Sequence, residues 1–315
     1  YKLDTTVRSL KVEAGKTVTL NVSDVPKVTE TLVDLFKIDM ETGKATAQGN
    51  AALAGAEFTW HYYDGLYTKD NLPEKATRTW VTKTVAEKSS DGSIHYVTKL
   101  SDAYKVSGDA FYTQNEKSVL PLGTLTVEET KAPDGYLLDG AYMQAGDSTE
   151  QIKGMYLTQI TEDGELAVLS GSNQYSVSDQ VIRGGVKIQK RDLETKDTKA
   201  QGSATLKDAA FAIISLNENP VLVEGKLYKK NETVKTIQTG IDGIATTTAD
   251  LLPYGKYKLE ETKAPEGFEL DKGVYSVFIE KDETTYEVEN KAGVGFINTA
   301  MKGNLKIVKT SSDGK

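Results

Sequence analysis

"VEETKAPDGY" at residues 127–136 and "LEETKAPEGF" at residues 259–268 are nearly the same ten residues. An apolar alternation leads into each copy. Leu125, Val127 and Glu129 stand two apart in the first, and Tyr257, Leu259 and Glu261 in the second. Side chains of a strand alternate between its faces, so each copy sets one carboxyl at the end of an apolar stripe and the other, Glu128 or Glu260, on the opposite face. Two carboxyls on opposite faces cannot flank one substrate, which excludes a glycosidase-type acid pair.

Working outward, the likeness extends beyond the motif. "KIDMETGKATAQGNAALAGAEF" at 37–58 parallels "KRDLETKDTKAQGSATLKDAAF" at 190–211, so a whole domain is repeated. Short Thr-, Val- and Tyr-rich runs are separated by turn signals such as Ser90-Asp91-Gly92, Glu162-Asp163-Gly164 and Asp242-Gly243. That is the pattern of an all-β protein. The expected organisation is one repeat over 30–183 with an enlarged middle and a second over 184–301. Residues 1–29 read as the tail of a preceding repeat and 302–315 as the opening strand of a following one, so the chain is expected to be a window on a longer array. "VPKV" at 25–28 reads as a linker.

A polar residue ends each apolar stripe. In the opening strands it is lysine: Val33, Leu35 and Lys37; Val186, Ile188 and Lys190; Leu305, Ile307 and Lys309. In the closing strands it is an acid or amide: Tyr175, Val177 and Asp179; Val294, Phe296 and Asn298; Leu20, Val22 and Asp24. With Glu129 and Glu261, each full repeat therefore points an amine, a carboxyl and a carbonyl at its core, and an unpaired buried charge is costly. Two readings stand. One is a buried hydrogen-bonded Lys–Glu–Asn/Asp cluster. The other is covalent: an apolar setting lowers an amine's pKa and raises a carboxyl's, so a neutral lysine can attack the carbonyl while a protonated Glu polarises it and shuttles protons. For the first repeat Asn173 is an alternative partner, and strand alternation favours Asp179.

Composition narrows the function classes. The 315 residues have a net charge of −8 and no concentrated basic stripe, which argues against nucleic acid. The absence of cysteine removes disulfides, thiolate metal sites and a catalytic thiol. His61 and His95 are too few to build a metal shell, and the acids around Asp282 and Glu283 follow no calcium-loop spacing, so neither cofactor nor metal is expected. No apolar run is long enough to span a bilayer.

The residues resemble the Cna B-type, or SpaA-like, domains of Gram-positive pilins and surface adhesins. That family's acidic motif is met at Tyr257, Leu259, Glu261, Ala264, Pro265, Gly267 and Phe268. The first copy departs conservatively at Leu125 and Val127, and keeps Glu129, Ala132, Pro133, Gly135 and Tyr136. The resemblance implies tandem prealbumin-like β-sandwiches with an Ig-like Greek key. It further implies an isopeptide bond from Lys190 to Asn298 assisted by Glu261, and one from Lys37 to Asp179 assisted by Glu129. Asp24 and Lys309 would lack partners within this chain.

The expected function is a structural stalk of a cell-wall-anchored extracellular protein or pilin. Its partners would be neighbouring repeats of the same chain and sortase-linked pilus subunits. The chemistry would be a single self-reaction, with no enzymatic turnover. The competing reading is an adhesin module that binds host matrix protein or glycan through the aromatic-rich stretch 60–112, with Trp60, Tyr62, Tyr63, Tyr67, Trp80, Tyr96, Tyr104, Phe111 and Tyr112. Those rings also suit the core of a sandwich. No nucleophile motif or phosphate loop points to an external substrate.

Overall fold

A computed structural model describes residues 1–30, 34–145, 151–162, 174–289, 295–310 and 312. Val33, Asp163, Gly164, Asn173 and Val294 fall outside them. The chain divides into two compact units, Tyr1–Ala47 with Ala52–Gln180, and Gln48–Ala51 with Val181–Lys315. Both are built from strands. Lys69–Asn71 forms a single 3-10 turn, and no helix among the described residues is long and apolar enough to cross a membrane.

The first unit has two main sheets. One runs Tyr156–Ile160, Gly123–Lys131, Glu57–Tyr63, Arg78–Lys83, Lys105–Gly108. The other runs Gln151–Lys153, Tyr136–Ala145, Gln174–Val181, Asp34–Asp39, Ile94–Thr98, Val85–Lys88. A third, small sheet joins Val28–Glu30 to Lys117–Pro121 and Tyr112–Gln114. Alternation drives the packing: Phe58, Trp60 and Tyr62 point inward from one strand, against Leu125 and Val127 of its neighbour and Leu35, Tyr175 and Val177 of the other sheet.

The second unit centres on the long strand Arg183–Asp192, which pairs antiparallel with Ile244–Thr246 and Leu252–Pro253. It also pairs in parallel with Thr284–Glu287 and Phe296–Asn298. A four-stranded sheet, Thr233–Gln238, Ala210–Ser215, Gly255–Lys263 and Val274–Ile279, contributes Phe211, Ile213, Tyr257 and Leu259 to the same core as Val186, Ile188 and Phe296. All-β sandwich architecture is thus present in both units.

The structure differs from the sequence reading near both ends of the chain and decides two points that the sequence leaves open. Residues 1–27 and 301–310 form no strand, and Leu20, Val22, Leu305 and Ile307 are exposed. A strand is stable only when its backbone groups are paired, and these stretches find no ladder among the described residues. The face of the first motif strand opposite its apolar stripe is covered as well. Thr124 and Thr126 are fully buried, and the Thr124 hydroxyl donates to the Gly65 carbonyl and accepts from the Tyr67 amide. Finally, Trp60, Tyr62, Tyr63, Trp80 and Tyr104 are core residues, which leaves only Tyr67, Tyr96, Phe111 and Tyr112 half-buried. Most of the aromatic stretch therefore cannot present a binding face.

Candidate functional site: two buried Lys–Glu–Asp/Asn clusters

In each unit the opening and closing strands lie side by side and parallel, in the same register. Lys37 stands opposite Val177, with Asp39 opposite Asp179. Lys190 stands opposite Phe296, with Asp192 opposite Asn298. The lysine is thus always two positions before the residue opposite the acid or amide. The motif strand supplies the carboxyl from the facing sheet, after its Leu125/Val127 or Tyr257/Leu259 stripe.

In the first unit, Lys37 Nζ lies 2.5 Å from Glu129 Oε2 and 2.5 Å from Asp179 Oδ1. The lysine and Asp179 side chains are fully buried, and that of Glu129 is 2% exposed. The contact with Glu129 is a hydrogen bond donated by the amine. The contact with Asp179 is equally short and joins two fully buried groups as an ion pair. The fold thus holds the amine and the Asp179 carboxyl in direct contact. Burial pushes the Glu129 carboxyl up to about 8, against the opposing pull of the Lys37 charge, and burial raises the Asp179 carboxyl too.

In the second unit, Lys190 Nζ sits 2.8 Å from Glu261 Oε1, both side chains fully buried. The amine lies 5.4 Å and 5.9 Å from the ring centres of Phe211 and Phe296. Burial holds it below the usual ammonium range, and Glu261 only partly offsets this. Asn298 Nδ2 donates to Glu261 Oε2 at 2.7 Å and to the Glu269 carbonyl at 2.7 Å, while its Oδ1 is unsatisfied. The Asp271 amide also donates to Glu261 Oε2, at 2.7 Å. One carboxyl therefore touches the amine with one oxygen and the amide nitrogen of the acceptor with the other, as a proton shuttle between them requires.

The remainder of the repeated motif positions this chemistry. In both copies the residue after glycine donates its amide to the proline carbonyl, Tyr136 to Pro133 and Phe268 to Pro265. The intervening Gly135 and Gly267 have φ of 83° and 84°, a region glycine enters without strain. The second turn sends the chain back so that Glu269 and Asp271 reach the cluster. Their contributions are backbone groups, which no residue type announces.

Two residues after the lysine, each repeat carries an aspartate, Asp39 or Asp192. Asp39 and Asp192 are fully buried. Asp39 Oδ1 accepts from the Thr42 amide and hydroxyl, and Oδ2 from the Tyr136 hydroxyl at 2.9 Å. Asp192 Oδ1 accepts from the Glu194 and Thr195 amides, and Gln201 bonds its carboxyl. Each aspartate ties down the turn that follows the buried lysine. Asp282 accepts from the Arg183 amide in a turn, and no cluster of metal-ligating residues occurs among the described residues.

Comparison with known proteins gives a matching family and a set of similar structures. Among solved structures, the Bacillus anthracis TIE protein is similar over 96% of this chain and 39% of its own, at 20% identity and a TM-score of 0.49. A streptococcal ancillary pilin is similar over 87% of this chain and 63% of its own, at 20% identity and a TM-score of 0.27. A doubly substituted form of the shaft pilin SpaA from Lactobacillus rhamnosus GG is similar over 90% of this chain and 100% of its own, at 14% identity and a TM-score of 0.27. The chain thus spans well under half of the first of these proteins and somewhat under two thirds of the second. No curated protein matches. Residues 186–292 match the family described as SpaA, prealbumin-like fold domain, the family that the sequence of this repeat resembles.

Proposed function

We propose that both units are self-crosslinking stalk modules of a pilus shaft or other surface protein of a Gram-positive cell wall. In the first, the Lys37 amine attacks the Asp179 carboxyl carbon. Glu129, protonated near neutral pH, hydrogen-bonds the carbonyl, accepts a proton from the amine and returns one to the departing hydroxyl, so that water leaves. In the second, Lys190 attacks Asn298, and Glu261 passes the amine proton to the amide nitrogen it already contacts, so that ammonia leaves. The partners are neighbouring modules of the same chain and further pilus subunits.

The observation that carries this reading is the full burial of a lysine at 2.5 Å from two carboxyl groups, one on the motif strand and one on the closing strand. Three ionisable groups sealed from water are costly as charges, and converting two of them into an amide removes that cost. The match of residues 186–292 to the SpaA domain family supports the same reading. Intact-mass measurement tests it. The folded protein is expected to be lighter than its sequence by one water and one ammonia, and an unmodified mass refutes the crosslinks.

A further inference from the structure

The first unit contains a cavity of about 160 Å³ that reaches the reactive cluster from outside. Glu129 and Val177 form its inner wall, and Ala141, Met143, Ile152 and Leu138 line the rest. Leu138 is 41% exposed and Lys153 stands exposed at the rim, so the space opens toward solvent. Val177 is the residue opposite Lys37 and lies two before Asp179, which places the cavity directly behind the two groups that react. Glu129 Oε1 is buried and without a hydrogen-bond partner.

Joining an amine to a carboxylic acid differs from joining it to an amide in what must leave. Water is the product in the first unit, and it forms where Lys37, Asp179 and Glu129 are almost wholly sealed from solvent. If it stayed beside the new amide under the same general acid, it would hydrolyse the bond by the reverse path, since a catalyst accelerates both directions. A stable buried water needs two to four polar partners and only about 10–15 Å³ of space. The cavity has far more room than that, and its walls are apolar apart from Glu129 and the rim. It therefore passes water without holding it.

We propose that this cavity is the water port of the first unit: the exit through which the hydroxyl of Asp179, protonated by Glu129, leaves as water once the Lys37–Asp179 bond forms. The C–N bond forms, the C–OH bond breaks, the amine proton goes to Glu129, and the acid proton of Glu129 goes to the departing oxygen. The proposal rests on the crosslinking reading above.

The test is pulsed cell-free synthesis of the full chain, with samples quenched, digested and weighed at each crosslink. Ala141→Leu fills the middle of the port. It is expected to slow water loss at Lys37–Asp179 by about tenfold, within the range set by confining one water, while ammonia loss at Lys190–Asn298 keeps its rate. Leu138→Phe narrows the exposed mouth without entering the core and is expected to act in the same direction. Melting both substitutions in a Lys37→Met background separates port closure from a folding defect. Wild-type rates of water loss in both variants overturn the port. Absence of water loss from the wild-type chain instead overturns the crosslink itself.

Discussion

Replacing Lys190 with methionine and Glu261 with glutamine together separates a crosslinked module from a merely hydrogen-bonded one, because the two readings predict opposite signs. Methionine is close in length to the lysine it replaces, whose amine lies 5.4 Å and 5.9 Å from the ring centres of Phe211 and Phe296. The double substitution removes both members of the buried Lys190–Glu261 pair, so neither charge is left uncompensated. The glutamine oxygen can still accept from the Asp271 amide and Asn298 Nδ2 in place of Glu261 Oε2. Without a covalent bond, exchanging a buried charged pair for uncharged residues of similar shape is neutral or stabilising. With the bond, the same exchange frees a loop on the order of 100 residues in the unfolded chain, which costs about 4–5 kcal/mol by analogy with disulfides. For a unit of this size that corresponds to a fall of about 15–20 °C in Tm. Scanning calorimetry of the full chain, in which the two units are expected to melt separately, reads the change, and intact mass reports the missing ammonia loss. An unchanged or raised second transition refutes the covalent account of the Lys190 cluster.

The pH dependence follows from the two shifted groups. Glu129 holds its proton more tightly in the folded unit than in the unfolded chain. Before crosslinking, its contribution to stability is therefore complete below the ordinary carboxylate range and is lost as pH rises through about 8. Lys190 is shifted the opposite way, so its contribution is present above the ordinary ammonium range and is lost as pH falls through its lowered folded value. Crosslinking of newly made chains is accordingly expected to slow above about pH 8 in the first unit and to slow toward acid in the second; time-resolved mass spectrometry across pH checks both, and a first-unit rate that climbs steadily into alkali contradicts Glu129 as the acid. The glycine of the second motif gives a structural prediction. Gly267 has φ +84° and an added Cβ would meet Ala204 Cβ at 2.5 Å, whereas at Gly202, φ +60°, nothing lies within 4 Å. Gly267→Ala is expected to cost about 2–3 kcal/mol and Gly202→Ala about 1 kcal/mol, and equal losses in denaturant titrations count against the clash.

What could be read from the residues was whatever obeys a period. Alternation of two named the core faces of the strands around Lys37, Lys190, Glu129, Glu261, Asp179 and Asn298, because burial in a sandwich repeats with the pleat. Self-similarity of the two halves named the repeated domain. What escaped detection has no period. Thr124 lies on the face opposite the apolar stripe, and its hydroxyl is held by the chain around Gly65 and Tyr67, distant in sequence. The aromatic stretch could not be assigned to core or surface, since a ring every second residue suits both until Trp60 and Trp80 are seen fully buried. The backbone donors and acceptors at Glu269 and Asp271 depend on where a turn returns the chain, which a residue type does not specify. The stretches 1–27 and 301–310 carry a strand pattern but join no ladder among the described residues, and pattern alone does not make a strand.

The parallel pairing of the first and last strands explains why the amine and the carbonyl are placed where they are. Tension along a string of modules enters a unit at the start of its opening strand and leaves at the end of its closing one. In a parallel pair those are opposite ends, so the force shears the whole ladder rather than peeling one bond at a time. Lys37 lies near the far end of Asp34–Asp39, and Asp179 near the far end of Gln174–Val181; Lys190 and Asn298 are placed likewise in Arg183–Asp192 and Phe296–Asn298. The amide proposed at that point would transmit force from Asp34 through Lys37 to Asp179 and out at Val181 over a few residues of extended backbone. Every residue between Lys37 and Asp179, including the enlarged aromatic core, would then be bypassed. Hydrogen bonds alone yield at a rate set by the unfolding barrier, which applied force lowers, whereas a covalent shunt yields only when a bond breaks. The proposed shunt would also let the first unit accommodate its long insertion, because sequence added between the tied residues would lie outside the path of the load.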